Sequence, residues 1–372
     1  MDDAALFDEI VKANNLGPRI EDHRLQKHPA VERFTRLLRS RVGSTVPQFS
    51  GLADIFAAFI ADPEFNAWAA KHGGRYFIGI HAGLLNILTT VVFRLMADPR
   101  TFPDIGDPSE EVGNLPTFSR ITPDATACGF QPVSPKNPRR VLFAMLVCDL
   151  AFDFVVNHEL THIGHGHVGY TNAEFGLPFL GERRWVAGTP AGNLESLGME
   201  MDADFKAAEQ LMKRVRGDLS GRDPSSGFAE FFSDPAQAIL AVAAAVSIQS
   251  RMFGDTRVAL ADLPTQDHPP NRWRQLMVLN VMANYAEEFW GSEAHASVMA
   301  AVNRAIAEVE ESFERMTGQP QQIQGLHDTW HGEGWEYAKA VLDCWNNTLL
   351  TKLEKYTFVG LRSYHFDLPQ KP

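Results

Sequence analysis

Between Arg139 and Gly164 the chain reads as one long, mainly apolar helix, and near its C-terminal end stands "HELTH", residues 158–162, inside "FVVNHELTHIGHGH". A helix has no packing reason to concentrate imidazole at that place. Residues four apart on a helix are separated by about 40° of rotation, so His158 and His162 point to one side. Two imidazoles so placed can take two corners of a zinc tetrahedron, with Glu159 beside the first, close enough to act on a water at the metal. That is the physical content of the HExxH pattern.

A catalytic zinc needs a third protein ligand and one open position. A downstream histidine in the pattern HExxHxxGxxH would require Gly at 165 and His at 168, where this chain has His165 and Val168, so that class is excluded. Local ligation by His165 or His167 is a second source, although Gly164 and Gly166 signal that the helix is ending. The third source is the following helix, "LGMEMDADFKAAEQL" at 197–211, where Glu200 and Asp204 are four apart on one face. Glu200 can ligate the metal while Asp204 accepts a hydrogen bond from the outer nitrogen of a bound imidazole, fixing its tautomer. Asp202 and Glu209 read as solvent charges on the same helix.

The rest of the chain sets the fold class. Short amphipathic helices are expected over 1–72, including "AVERFTRLLRSRV" and "LADIFAAFIADPEF", then a buried strand "RYFIGIHAG" at 75–83 and a helix at 84–97. His81 in that strand reads as a core histidine. Prolines make 98–138 an irregular connection with room for one short strand, and glycines make 168–193 loop-like. Helices follow at 194–216, 228–252, 270–290, 294–317 and 333–355. The expectation is a mainly α chain with a small β-sheet, an α+β fold. Two apolar stretches, 76–93 and 235–250, read as buried core: the first carries His81 and Asn86, and the second is shorter than the ~20 residues a span needs.

A formal charge of −12 gives no basic stripe for nucleic acid or for anionic membranes. Cys128, Cys148 and Cys344 are too few and too scattered for a disulfide framework, which favours a reducing compartment. With an acidic "MDDAALFDEI" start and no signal-peptide pattern, the expected location is cytoplasmic, with no membrane span. Neither a GxSxG elbow, a P-loop nor a Rossmann glycine fingerprint occurs.

Taken together, "HELTHIGHGH", "EMDADFKA" and "DHPPNRWRQL" (267–276) resemble, in order, three signatures of gluzincin metallopeptidases, similar to HtpX-type and CAAX prenyl proteases, with soluble gluzincins such as a phage-exclusion peptidase as the other candidate relatives. The resemblance covers roughly 155–280. It implies a zincin-like catalytic core around the HExxH helix and one Zn2+ per chain held by His158, His162 and Glu200. Glu159 is implied as the proton-transferring catalytic residue, with Asp204 and Arg274 behind the ligands and His268 near the substrate carbonyl; Tyr170, close to the motif in sequence, is another donor that could serve there. The best-known members carry transmembrane helices, which are not expected in this chain, so a membrane location and a prenylated substrate are not carried over. The expected organisation is an N-terminal helical region at 1–72, a metallopeptidase core at 73–292 and a C-terminal helical region at 293–372. The expected function is hydrolysis of peptide bonds in restricted protein substrates, the strand at 75–83 pairing with the substrate. A zinc hydrolase of a non-peptide amide, or a non-enzymatic zinc-stabilised interaction module, is the alternative.

Overall fold

The computed structural model describes residues 2–25, 29–111, 115–118, 121, 131–181, 190–219, 227–232, 234–253, 269–322 and 333–365. Helix α1 (Asp3–Ala13) starts where the Asp2 side chain accepts from the Ala5 N–H at 2.8 Å, and α2 (Asp22–Leu25) and α3 (Pro29–Thr45) follow. Next come β1 (Ile55–Ile60), β2 (Ala67–His72) and β3 (Arg75–His81), then α4 (Ala82–Met96) and α5 (Pro138–Gly164). Helix α6 (His167–Phe175), β4 (Phe179–Gly181) and α7 (Pro190–Leu219) precede α8 (Pro235–Met252), α9 (Asn271–Trp290), α10 (Ser292–Thr317) and α11 (Glu333–Cys344). The chain is mostly helical with one small mixed sheet, as expected.

The sheet has the order β1-β3-β2-β4, with β1 parallel to β3 and β2 antiparallel to both neighbours. β2 and β3 form a hairpin whose turn residues, Gly73 and Gly74, have φ of +56° and +77°, a conformation two-residue hairpins demand. Both faces are buried, in strict alternation. Ala67, Ala69, Tyr76, Ile78 and Ile80 join the main core, whose small alanines let α5 lie close. Trp68, Ala70 and Phe77 face the other way, under Phe7, Ile10 and Val11 of α1.

Three expectations need correction here. "LADIFAAFIADPEF" is not a helix: its apolar run is six residues, stops before Pro63 and pairs along its length with β3. Short apolar runs are ambiguous between the two periods, and pairing partners decide them. The boundary drawn at residue 72 falls inside the β2–β3 hairpin. The stretch 168–193, read as a loop, contains most of α6 and all of β4, residues 182–189 lying outside the described set. Smaller differences concern ends: α8 begins at Pro235 after a 3-10 turn at Ala229–Phe232, and α11 passes into a π-turn at Trp345–Leu349. The described parts of 98–138 are irregular, with a 3-10 turn at Pro108–Glu110 and no strand among them.

Helix α5 runs through the main core. Pro138 opens it, and the Asn137 side chain accepts from the Arg139 and Arg140 N–H groups. Its length and apolarity would suffice to cross a bilayer, yet 83% of its most apolar window is buried in the fold, against α3, α4, α7 and α8. The acids that interrupt it are paired: Asp149 with Arg33 at 2.6 Å, and Asp153 with Arg41 and with Arg214 at 2.9 Å. At its start the fully buried Arg140 guanidinium donates to five backbone carbonyls between Met96 and Ile105, closing the irregular segment onto the helix.

Candidate metal centre

The "HELTH" residues occupy the last turns of α5, and α7 packs along the same helix, so Glu200 comes to face the two histidines. His158 Nε2 and His162 Nε2 lie 3.0 Å apart, and each is 3.4 Å from a Glu200 carboxylate oxygen. A tetrahedral ion with ligand bonds of about 2.0–2.2 Å separates its ligands by about 3.3–3.5 Å. The two histidine–carboxylate distances, one to each Glu200 oxygen, match that spacing and the histidine pair is slightly tighter; two imidazoles with one carboxylate are a donor set zinc takes. The residues therefore fit a zinc ion, with the fourth corner not supplied by this trio.

Behind His158 the partners are fixed. Asp204 Oδ1 is 2.9 Å from its Nδ1, and Arg274 holds the same carboxylate with two donors, Nε at 2.7 Å and Nη2 at 2.8 Å. Burial would raise the Asp204 pKa, but the charge and hydrogen bonds of Arg274, with those of His158, outweigh it and hold the group ionised, below its ordinary value. His158 thus keeps its proton on Nδ1 and turns the Nε2 lone pair toward His162 and Glu200. Burial pushes His162 well below the usual imidazole pKa against the pull of Glu200, which keeps it in the neutral form a ligand requires.

Gly164 and Gly166 shape the turn after the motif. Gly166 has φ of +82°, and a Cβ there would stand 2.6 Å from the backbone carbon of Tyr356. The segment 354–365 lies against this turn: Phe358 N–H and the Thr357 hydroxyl donate to the Gly164 carbonyl at 2.9 and 3.1 Å. Further on, the Tyr364 hydroxyl donates to Asp202 Oδ1 at 2.6 Å. The C-terminal region, which matched no signature, is the back wall of the centre.

Of the residues singled out from sequence, His158, His162, Glu200, Asp204 and Arg274 are brought together, with Glu159 buried beside them at 1% exposure. His268 lies outside the described residues. The Tyr170 hydroxyl is committed to Glu195, at 2.5 Å, rather than turned to a substrate. Asp202 and Glu209 are not solvent charges: they are 0% and 3% exposed. Glu209 gathers Lys206, Lys213 and Arg362, and Asp202 gathers His165, His167 and Tyr364. His165 and His167 thus belong to a separate cluster, not to the trio. His81 is fully buried with Nδ1 3.0 Å from Asp62. Strand β3 cannot pair with a substrate, because β1 and β2 occupy both its edges. The sequence signal for Asp202 was the "GHGH" that follows the motif, since two extra buried histidines need an acid. Comparison with known protein families, with curated proteins and with solved structures finds no match to this chain.

Proposed function

We propose that this chain is a zinc-dependent metallopeptidase of the gluzincin type, with a zincin-like core and a restricted protein substrate. The observation that carries the reading is the convergence of Glu200, from α7, on His158 and His162 of α5, the helix that also bears Glu159. Zinc in such a site supplies Lewis acidity, which activates water and polarises a carbonyl near neutral pH. Glu159 takes the proton of the attacking water on its carboxylate and returns it to the leaving nitrogen. Asp204 and Arg274 keep His158 aimed, and His268 is proposed as a donor to the oxyanion. His158, Glu159, His162 and Glu200 are only 1–2% exposed, which supports a narrow substrate range over general degradation.

The same burial favours one second reading, a zinc-stabilised module without activity. Against it stands Glu159, for which a structural site has no use, and a ligand trio that leaves one position open. The test is metal analysis together with mapping of new protein N-termini in cells. Wild type should hold about one zinc and produce a few discrete cleavages. His162→Ala and Glu200→Ala should lose most of the metal, and Glu159→Gln should keep it while losing all cleavages. Identical termini from wild type and Glu159→Gln would refute the enzymatic reading.

A further inference from the structure

On the far side of the His162 ring from Glu200 sits the second cluster. His162 Nδ1 is 3.0 Å from His167 Nδ1, His167 Nε2 is 3.2 Å from Asp202 Oδ2, and His165 Nδ1 is 2.6 Å from that same oxygen. All three cluster residues are buried, at 0–6% exposure, and the Tyr364 hydroxyl caps the other Asp202 oxygen. His165, His167 and Asp202 converge closely enough to suggest a second metal site. The spacing argues otherwise: 2.6 Å is a hydrogen-bond length, well under the ~3.3 Å that two ligands of one tetrahedral zinc keep.

The protons can be followed one bond at a time. Asp202 accepts from Tyr364 and from His165 Nδ1–H, and its charge, 3.2 Å from His167 Nε2, favours a proton on that nitrogen. A neutral His167 with its proton on Nε2 has a lone pair on Nδ1, which accepts the proton that His162 carries on its own Nδ1. His162 is then left with a bare Nε2, facing His158 Nε2 and Glu200. A metal on His167 Nε2 would instead move the His167 proton to Nδ1. His162 would have to accept there and carry its own proton on Nε2, which removes it from the first site. With neutral imidazoles the two sites exclude each other.

We propose that Asp202, acting through His167, fixes the proton of His162 on Nδ1 and so presents Nε2 to the metal. Asp202 and His167 are positioning residues, an acid and an interposed imidazole doing for His162 what Asp204 does directly for His158. The inference rests on the metal-site reading given above. It also gives the stretch "EMDAD" three assignments: Glu200 ligates, Asp204 orients one histidine and Asp202 the other.

The test uses the full chain loaded with Zn2+, with histidine nitrogens labelled for NMR and zinc affinity measured by chelator competition. His162 should carry its proton on Nδ1, and His167 on Nε2 with a bare Nδ1. His167→Phe should bind zinc about 10–100-fold more weakly, the usual effect of losing such a partner. His167→Gln, whose amide can accept from His162 and donate to Asp202, should recover most of the loss. A wild-type chain that binds no zinc overturns the site reading itself. One zinc bound equally well by His167→Phe, or a His167 protonated on Nδ1 in the unaltered chain, overturns the relay alone. Two zinc equivalents, one of them lost in His167→Phe, would make the cluster a second metal site and overturn the relay as well.

Discussion

Arg274→Met separates what holds the fold from what holds the metal. The guanidinium donates twice to Asp204, a carboxylate only 3% exposed, at 2.7 and 2.8 Å. Methionine keeps much of the volume but strands a buried charge, which costs about 3–5 kcal/mol. The guanidinium also lies 5.6 Å over the Phe253 ring, and that attraction disappears equally in any Arg274→Met background. Adding Asp204→Asn removes the stranded charge while leaving an oxygen for His158 Nδ1. The double variant should recover about 2–4 kcal/mol relative to the sum of the single changes. Its zinc affinity should nevertheless fall by about 10–100-fold, because the carboxylate that strengthened His158 as a ligand is gone. Urea unfolding of the metal-free proteins reads the first effect, and chelator competition the second. Additive losses of stability in the double variant would refute the argument, since Arg274 would then not be there for the charge of Asp204.

Two further outcomes concern the C-terminal wall. Burial alone would raise the Glu209 pKa, but Lys206, Lys213 and Arg362 overcome it and bring it down to about 2. A lowered folded-state value stabilises the protein above the ordinary carboxylate range and is lost as pH falls from about 4.5 toward 2. Each tenfold gain in acidity on folding is worth about 1.4 kcal/mol, so Glu209→Gln should lie about 3 kcal/mol below wild type in urea at pH 7, with the gap closing near pH 2. A gap that persists there would contradict the assignment. Gly166→Ala combines a left-handed backbone with a clash against Tyr356, whereas Gly176→Ala, at φ +67°, meets nothing within 4 Å. Thermal unfolding should show the first variant losing clearly more than the ~1–2 kcal/mol the backbone alone costs and the second about that amount; equal losses would mean the wall yields freely.

Much of this was legible because helical signals are local. The 3.6-residue period marked the long helices, and a four-residue spacing put His158 with His162 and Glu200 with Asp204. What escaped depends on tertiary neighbours. "IFAAFI" carries no period that separates strand from helix, and only its pairing with β3 decides. That β3 is an inner strand follows from sheet order, which no stretch of sequence states. Asp202 lies about 200° round the helix from Glu200, so the ligand face says nothing of it. Its partners come from the turn after "HELTH" and from Tyr364, a residue 162 positions away.

That last separation bears on when the protein becomes competent. Thr357, which seals the Gly164 carbonyl, is synthesised 193 residues after it, and Tyr364 comes later still. A nascent or prematurely terminated chain can carry the whole of "HELTH" and Glu200 yet lack the wall that orders the turn and completes the Asp202 cluster. On the proposed function, the support behind His162 is complete only when residues 354–365 have been made and have folded back onto the turn.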